Sequence, residues 1–251
     1  MNQLILSPIG NLLEMALLFA NFYLPGMLIQ ARDMDRTAES PGRFMIQALL
    51  TALPQLALFL YVLWLRERRG ATELGTPPGL ADPRSGASPW QRFGLGRFHP
   101  RDLAGGALVF AGALALLLLV SLVLRLLPAS GRELLREGFR FRLGDWRLVP
   151  LALAFGVVTG YREELFFRGY LITRFTDMGV PAVAAVAASC LLFALGHLYQ
   201  GLAGFLTALC LGILFGVLFL RSRNLHRLAV AHALYNTVVL AATLWLPSAT
   251  P

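Results

Sequence analysis

Apolar residues recur along this chain in runs too long and too uniform for the faces of a water-soluble fold. The runs cover about residues 8–30, 44–65, 102–127, 148–173, 181–199, 203–221 and 226–246. A bilayer-spanning helix needs roughly 20 apolar residues, and backbone groups in hydrocarbon must be satisfied within their own segment, so each run is read as a helix. The pattern predicts an all-α fold: a polytopic transmembrane helix bundle of about seven spans, with room for an eighth.

The polar intervals divide the chain. Residues 66–101, opening RERRGATELGTPPG, are rich in Gly, Pro and charge and predict a mobile loop. Residues 131–143, GRELLREGFRFRL, interleave Leu134, Leu135, Phe139 and Phe141 with charge, which suits either a headgroup boundary or a solvated loop. The expected organisation is therefore N-terminal transmembrane helices over 1–128, an interfacial linker over 129–147 and a transmembrane core over 148–246. Within that core Ala208, Gly212 and Gly216 form a small-residue ladder for close helix packing.

Composition agrees, with 57% hydrophobic residues and a mean hydropathy of +0.63. The net charge of +8 comes from arginines alone, with no lysine, a bias that points to a GC-rich bacterial genome and hence to the inner membrane. Because the arginines cluster beside the apolar runs, lipid headgroups and the positive-inside rule account for them, and nucleic acid is excluded as a partner. The stretches Arg66–Arg101 and Arg221–Arg227 outweigh Arg132–Arg147 and favour a cytoplasmic N-terminus. Two cysteines, Cys190 and Cys210, cannot build a disulfide framework. The N-terminus has no basic n-region and Glu14 interrupts its apolar run, so the first helix is expected to stay uncleaved.

Charge inside an apolar run is costly, which makes the segment GYREELFFRGY at 160–170 the first candidate for chemistry. On an α-helix Glu164 and Arg168 form an i,i+4 pair, while Glu163 points about 100° away. One carboxylate is then neutralised locally, and its neighbour, Glu163, is the candidate general base. A structural ion-pair cluster would use the same residues. Phe193 and His197 share a face near the end of the fifth run, and His232 and Asn236 share a face of the last one. An imidazole and a carboxamide aimed at one point can serve as an oxyanion hole. Each pair alone is equally compatible with helix packing, but three helices offering polar faces can satisfy one another's desolvated groups.

Glu163, His197 and His232 are also suitable zinc ligands, although no HExxH motif is present. Ser189 and Cys190 lie in an AAVAASC run that reads as packing, and no rhomboid-like serine motif or GxGD motif occurs. By the expected span ends, His197 lies near one membrane face and His232 two turns in from the other. They meet only if the helices tilt or residues 198–202 dip inward.

EELFFR at 163–168, FALGH at 193–197 and HALYN at 232–236 together resemble the CPBP family of intramembrane proteases, with its EExxxR, FxxxH and HxxxN motifs in that order. That family includes the type II CAAX prenyl endopeptidases and the bacterial Abi proteins. The resemblance covers roughly residues 148–246, which would make this part the catalytic core. It implies that Glu163 and His197 activate a water, that His232 and Asn236 stabilise the oxyanion, and that Glu164 and Arg168 hold the first pair in place. It implies no cofactor, with a zinc-dependent variant as the alternative, and a membrane-anchored protein or peptide as substrate within the lipid bilayer. A non-catalytic scaffold or immunity protein and a proton-linked transporter are the competing readings.

Overall fold

The structure, a computed structural model, describes residues 8–24, 40–73, 89–126, 128 and 142–245. Among these residues there is no strand. The helices are α1 (Pro8–Phe22), α2 (Pro41–Glu73), the single turn α3 (Pro89–Arg92), α4 (Pro100–Leu124), α5 (Val149–Glu164), α6 (Thr173–Asp177), α7 (Ala182–Leu195), α8 (Gly201–Ser222) and α9 (Leu225–Ala242). A π-helical segment, Leu165–Ile172, joins α5 to α6 without a break.

Proline opens several of these helices, at the first helical residue of α2 and α4 and the second of α5, where its missing N–H costs nothing. The α4 entry is fixed further by Asp102, whose carboxylate accepts from His99 N at 2.9 Å. Arg223 ends α8 in the left-handed region, at φ 47°, and Asn224 then caps α9 by accepting from Arg227 N at 3.2 Å.

Among the described residues, four helical stretches are long and apolar enough to cross a membrane: Pro41–Leu65, Pro100–Leu124, Leu198–Ser222 and Leu225–Trp245. Where described, the other expected spans are helical too, but they differ for identifiable reasons. The described part of the first run stops at Leu24, and α7 has only 14 residues. The run from α5 to α6 is interrupted by Arg162, Glu163, Glu164 and Arg168.

The expected loop at 66–101 is only partly a loop. Residues 66–73 continue α2, and 93–99 are pinned against the core: Phe93 is fully buried, and Gly94 O accepts from Leu225 N at 3.0 Å. Residues 74–88 and most of the expected linker, 129–141, lie outside the described residues.

The core of the bundle is the π segment, every residue of which is buried. Helices α7, α8 and α9 pack around it, and α5 lies along α9 and α2. The N-terminal helices close it with aromatic rings: Tyr23 meets Phe166 at 4.6 Å and Phe59 meets Tyr170 edge-on at 5.4 Å, both measured between centroids. The closest helix approach is made by GVVTG in α5. A Cβ on Gly156 would lie 2.8 Å from Ala233 O, and one on Gly160 would lie 2.9 Å from Ala229 O. Small residues at that spacing let α5 and α9 touch backbone to backbone. The Gly212–Gly216 ladder does the same for α8, against Cys190 and Val186 of α7.

Candidate active site

Charge in the segment 160–170 sits where the helix changes type. The sequence predicts one continuous α-helix there, whereas the structure is α-helical to Glu164 and π-helical from Leu165. Wider turns of this kind recur at functional sites, because they redirect side chains that an α-helix would hold in register. The i,i+4 pair survives the change: Arg168 Nη1 donates to Glu164 Oε1 at 3.1 Å, with the two side chains 1% and 0% exposed. The Arg168 guanidinium also lies over the rings of Phe193, at 4.4 Å, and Phe215, at 5.7 Å. Glu164 is therefore sealed from both solvent and lipid.

Glu163, on the next position of α5, faces elsewhere and keeps 16% of its side chain exposed. Its Oε1 lies 3.6 Å from Arg162 Nη2, and its Oε2 lies 3.7 Å from His232 Nε2.

His232 comes from α9, brought in by the glycine contact with α5. Its Nδ1 lies 2.7 Å from Glu164 Oε1. That oxygen already accepts from Arg168, so it is a carboxylate acceptor and the imidazole must donate. Nε2 is then the nitrogen left to face Glu163 and the open side of the site. One imidazole thus stands between two carboxylates, tightly bonded to the buried one.

His197 lies just beyond the last turn of α7. Its Nδ1 donates to Phe193 O at 2.8 Å, which occupies one of the carbonyls left orphaned at a helix C-terminus. A carbonyl can only accept, so Nδ1 carries a hydrogen, and in the neutral ring Nε2 holds the lone pair. The Phe193 ring, 3% exposed, lies between the two imidazoles, at 4.6 Å from His197 and 6.2 Å from His232. The separation expected from the span ends does not occur. Helix α7 rises only about 21 Å at 1.5 Å per residue, short of a roughly 30 Å core, so its end stays within the bundle. A 3₁₀ turn at Leu198–Gln200 and Gly201, at φ 76°, then start α8 directly beside it.

Asn236 lies one turn after His232, and within the protein the two bond to different partners. Asn236 Nδ2 donates to Thr159 Oγ1 at 3.3 Å, and the Thr159 hydroxyl donates to Phe155 O at 2.7 Å. The Glu163–His232 and Thr159–Asn236 pairs are successive rungs of one antiparallel helix contact. One N–H of the carboxamide is engaged there.

Sequence reasoning missed Thr159, Arg162, Tyr23 and Gln55. Thr159 sits four residues before Glu163, so its place on the same face was readable. Arg162 donates from Nη1 to Gln55 Oε1 at 3.0 Å, and Tyr23 OH donates to Arg162 O at 2.9 Å. No periodicity relates those partners, which stand 107 and 139 residues away. Ser189 is buried and donates to Phe167 O, and Cys190 packs on Gly212, so both serve as packing residues here. Among the described residues no three His, Cys, Asp or Glu side chains converge in a way that would hold a metal ion.

Residues 145–238 match the family described as Type II CAAX prenyl endopeptidase Rce1-like, a segment that contains every candidate residue of the three motifs. No curated protein and no solved structure matches the chain.

Proposed function

We propose that this chain, whose residues 145–238 match the Rce1-like CAAX prenyl endopeptidase family, is a membrane-embedded endopeptidase that hydrolyses a peptide bond by activating water at Glu163. Its substrate is a membrane-anchored protein or peptide, cut near its membrane-associated end. The carrying observation is the division of labour between adjacent carboxylates. Glu164 is buried and bonded to Arg168 and His232, whereas Glu163 is left partly open beside His232 Nε2.

In this reading Glu163 takes a proton from water while the lone pair on His197 Nε2 orients that water. The oxygen attacks the carbonyl carbon, and negative charge develops on the carbonyl oxygen. His232 and Asn236 donate hydrogen bonds to it, an interaction that counts because it strengthens in the transition state. With Nδ1–H committed to Glu164, His232 donates to the oxyanion from Nε2 when that nitrogen also carries a proton. Glu163 then passes its proton to the leaving amine as the C–N bond breaks. In this reading no metal or other cofactor takes part. Glu164 and Arg168 hold the assembly, and 148–246 is its catalytic core, with the N-terminal helices as its wall.

Mass spectrometry of protein termini in membrane and secreted fractions tests this, comparing host cells that carry wild type with cells that carry Glu163→Gln at equal expression. New termini that vanish in the variant are expected. Identical termini in both would move the assignment to a scaffold in which the same charges act as helix glue.

A further inference from the structure

Glu163 is flanked on both oxygens, and only one flank belongs to the family motifs. Oε2 faces His232, while Oε1 faces Arg162 Nη2 at 3.6 Å, with the two side chains 16% and 19% exposed. An ordinary surface pair in this geometry would contribute little, because both long side chains lose entropy to hold it. Arg162 is not free to lose it. Its Nη1 is held by Gln55 of α2 at 3.0 Å, its guanidinium lies 5.1 Å from the ring centroid of Tyr23, and its carbonyl accepts from the Tyr23 hydroxyl at 2.9 Å. An arginine anchored by two other helical segments presents its charge to the carboxylate from a fixed point.

We infer that Arg162 is a positioning residue for Glu163, and that Gln55 and Tyr23 set its position from the N-terminal helices. The consequence is an active site that crosses the boundary of the matched segment, since Gln55 and Tyr23 lie outside residues 145–238. Helices α1 and α2 would then do more than wall the core. They fix the carboxylate that activates water, by way of a neighbour one residue away. The inference rests on the peptidase reading, in which the aim of Glu163 controls rate. A misplacement on the order of 1 Å costs about 100-fold in such a step.

The experiment quantifies Glu163-dependent protein termini per molecule of enzyme, in host cells carrying wild type, Glu163→Gln, Arg162→Gln, Arg162→Lys or Gln55→Leu. Membrane accumulation and thermal unfolding of each purified full-length variant are measured alongside. Arg162→Gln is expected to lose about 10- to 100-fold at unchanged accumulation and melting temperature. Arg162→Lys, which keeps the charge, is expected to retain activity within about threefold, and Gln55→Leu to fall between them. A purely structural pair predicts instead that losses in cleavage follow losses in stability, and that result overturns the inference. Wild-type cleavage by Arg162→Gln overturns it while the peptidase reading stands. If Arg162→Gln does not accumulate, Gln55→Leu decides: reduced cleavage per molecule supports the inference, and undiminished cleavage overturns it. Identical termini in wild type and Glu163→Gln overturn the peptidase reading and this inference together.

Discussion

His232 bonds to Glu164, not to Glu163: its Nδ1 lies 2.7 Å from Glu164 Oε1, whereas its Nε2 lies 3.7 Å from Glu163 Oε2. The two adjacent glutamates therefore answer differently to the same substitution. Glu163→Gln is expected to reduce cleavage by at least about 100-fold, the scale of a lost general base, with a melting temperature near that of wild type. Glu164→Gln is expected to destabilise the protein by about 3 kcal/mol or more, because it leaves Arg168 buried beside a neutral partner. Thermal unfolding of both variants with a cleavage assay separates the roles.

Close contact of α5 with α9 depends on two glycines. Gly160→Ala would place a methyl group 2.9 Å from Ala229 O and 3.4 Å from His232 Cβ, and the first neighbour is backbone that cannot rotate away. The expected result is a loss of about 1–3 kcal/mol from overpacking, with a marked loss of cleavage as His232 moves. Gly156→Ala, at 2.8 Å from Ala233 O, is expected to behave alike. Gly112 of α4 is the control, since a Cβ there meets nothing within 4 Å. Gly112→Ala is expected to be neutral or to stabilise by up to about 1 kcal/mol through helix propensity.

Thr159 orients Asn236 through one hydrogen bond of 3.3 Å. Thr159→Val keeps the shape and removes the acceptor, so the carboxamide is freed to turn. A fall in kcat of about 10-fold is expected, against 100-fold or more for Asn236→Ala, the scale of a removed oxyanion donor. Measured kcat values for the two single variants and the double variant check the order. If Thr159 acts through Asn236, the double variant is no worse than Asn236→Ala.

A mechanism run by Glu163 and His197 without a metal predicts that chelators leave cleavage unchanged. Prolonged dialysis of the purified protein against EDTA or 1,10-phenanthroline, followed by the same assay with and without added zinc, is the check. Loss of activity restored by zinc would select the metal-dependent variant of the reaction.

What the sequence determined by itself was local or periodic. Uniform apolar runs dictated helices, because no other conformation satisfies its own backbone in hydrocarbon. Spacing of four dictated the Glu164–Arg168 pair and the shared faces of Phe193 with His197 and His232 with Asn236, since neighbours on a helix are neighbours at any depth in a fold. The small-residue ladder on α8 was legible for the same reason. Tertiary structure decided the rest. Which carboxylate His232 binds depends on how near α9 comes to α5, and that distance is set by Gly156 and Gly160 against partners more than 60 residues away. The π segment Leu165–Ile172 arises where the helices pack round it and has no signature in the apolar period. The clamp of Tyr23 and Gln55 on Arg162 joins segments whose sequences carry no common pattern, and only the packing of α1 and α2 brings them to the site.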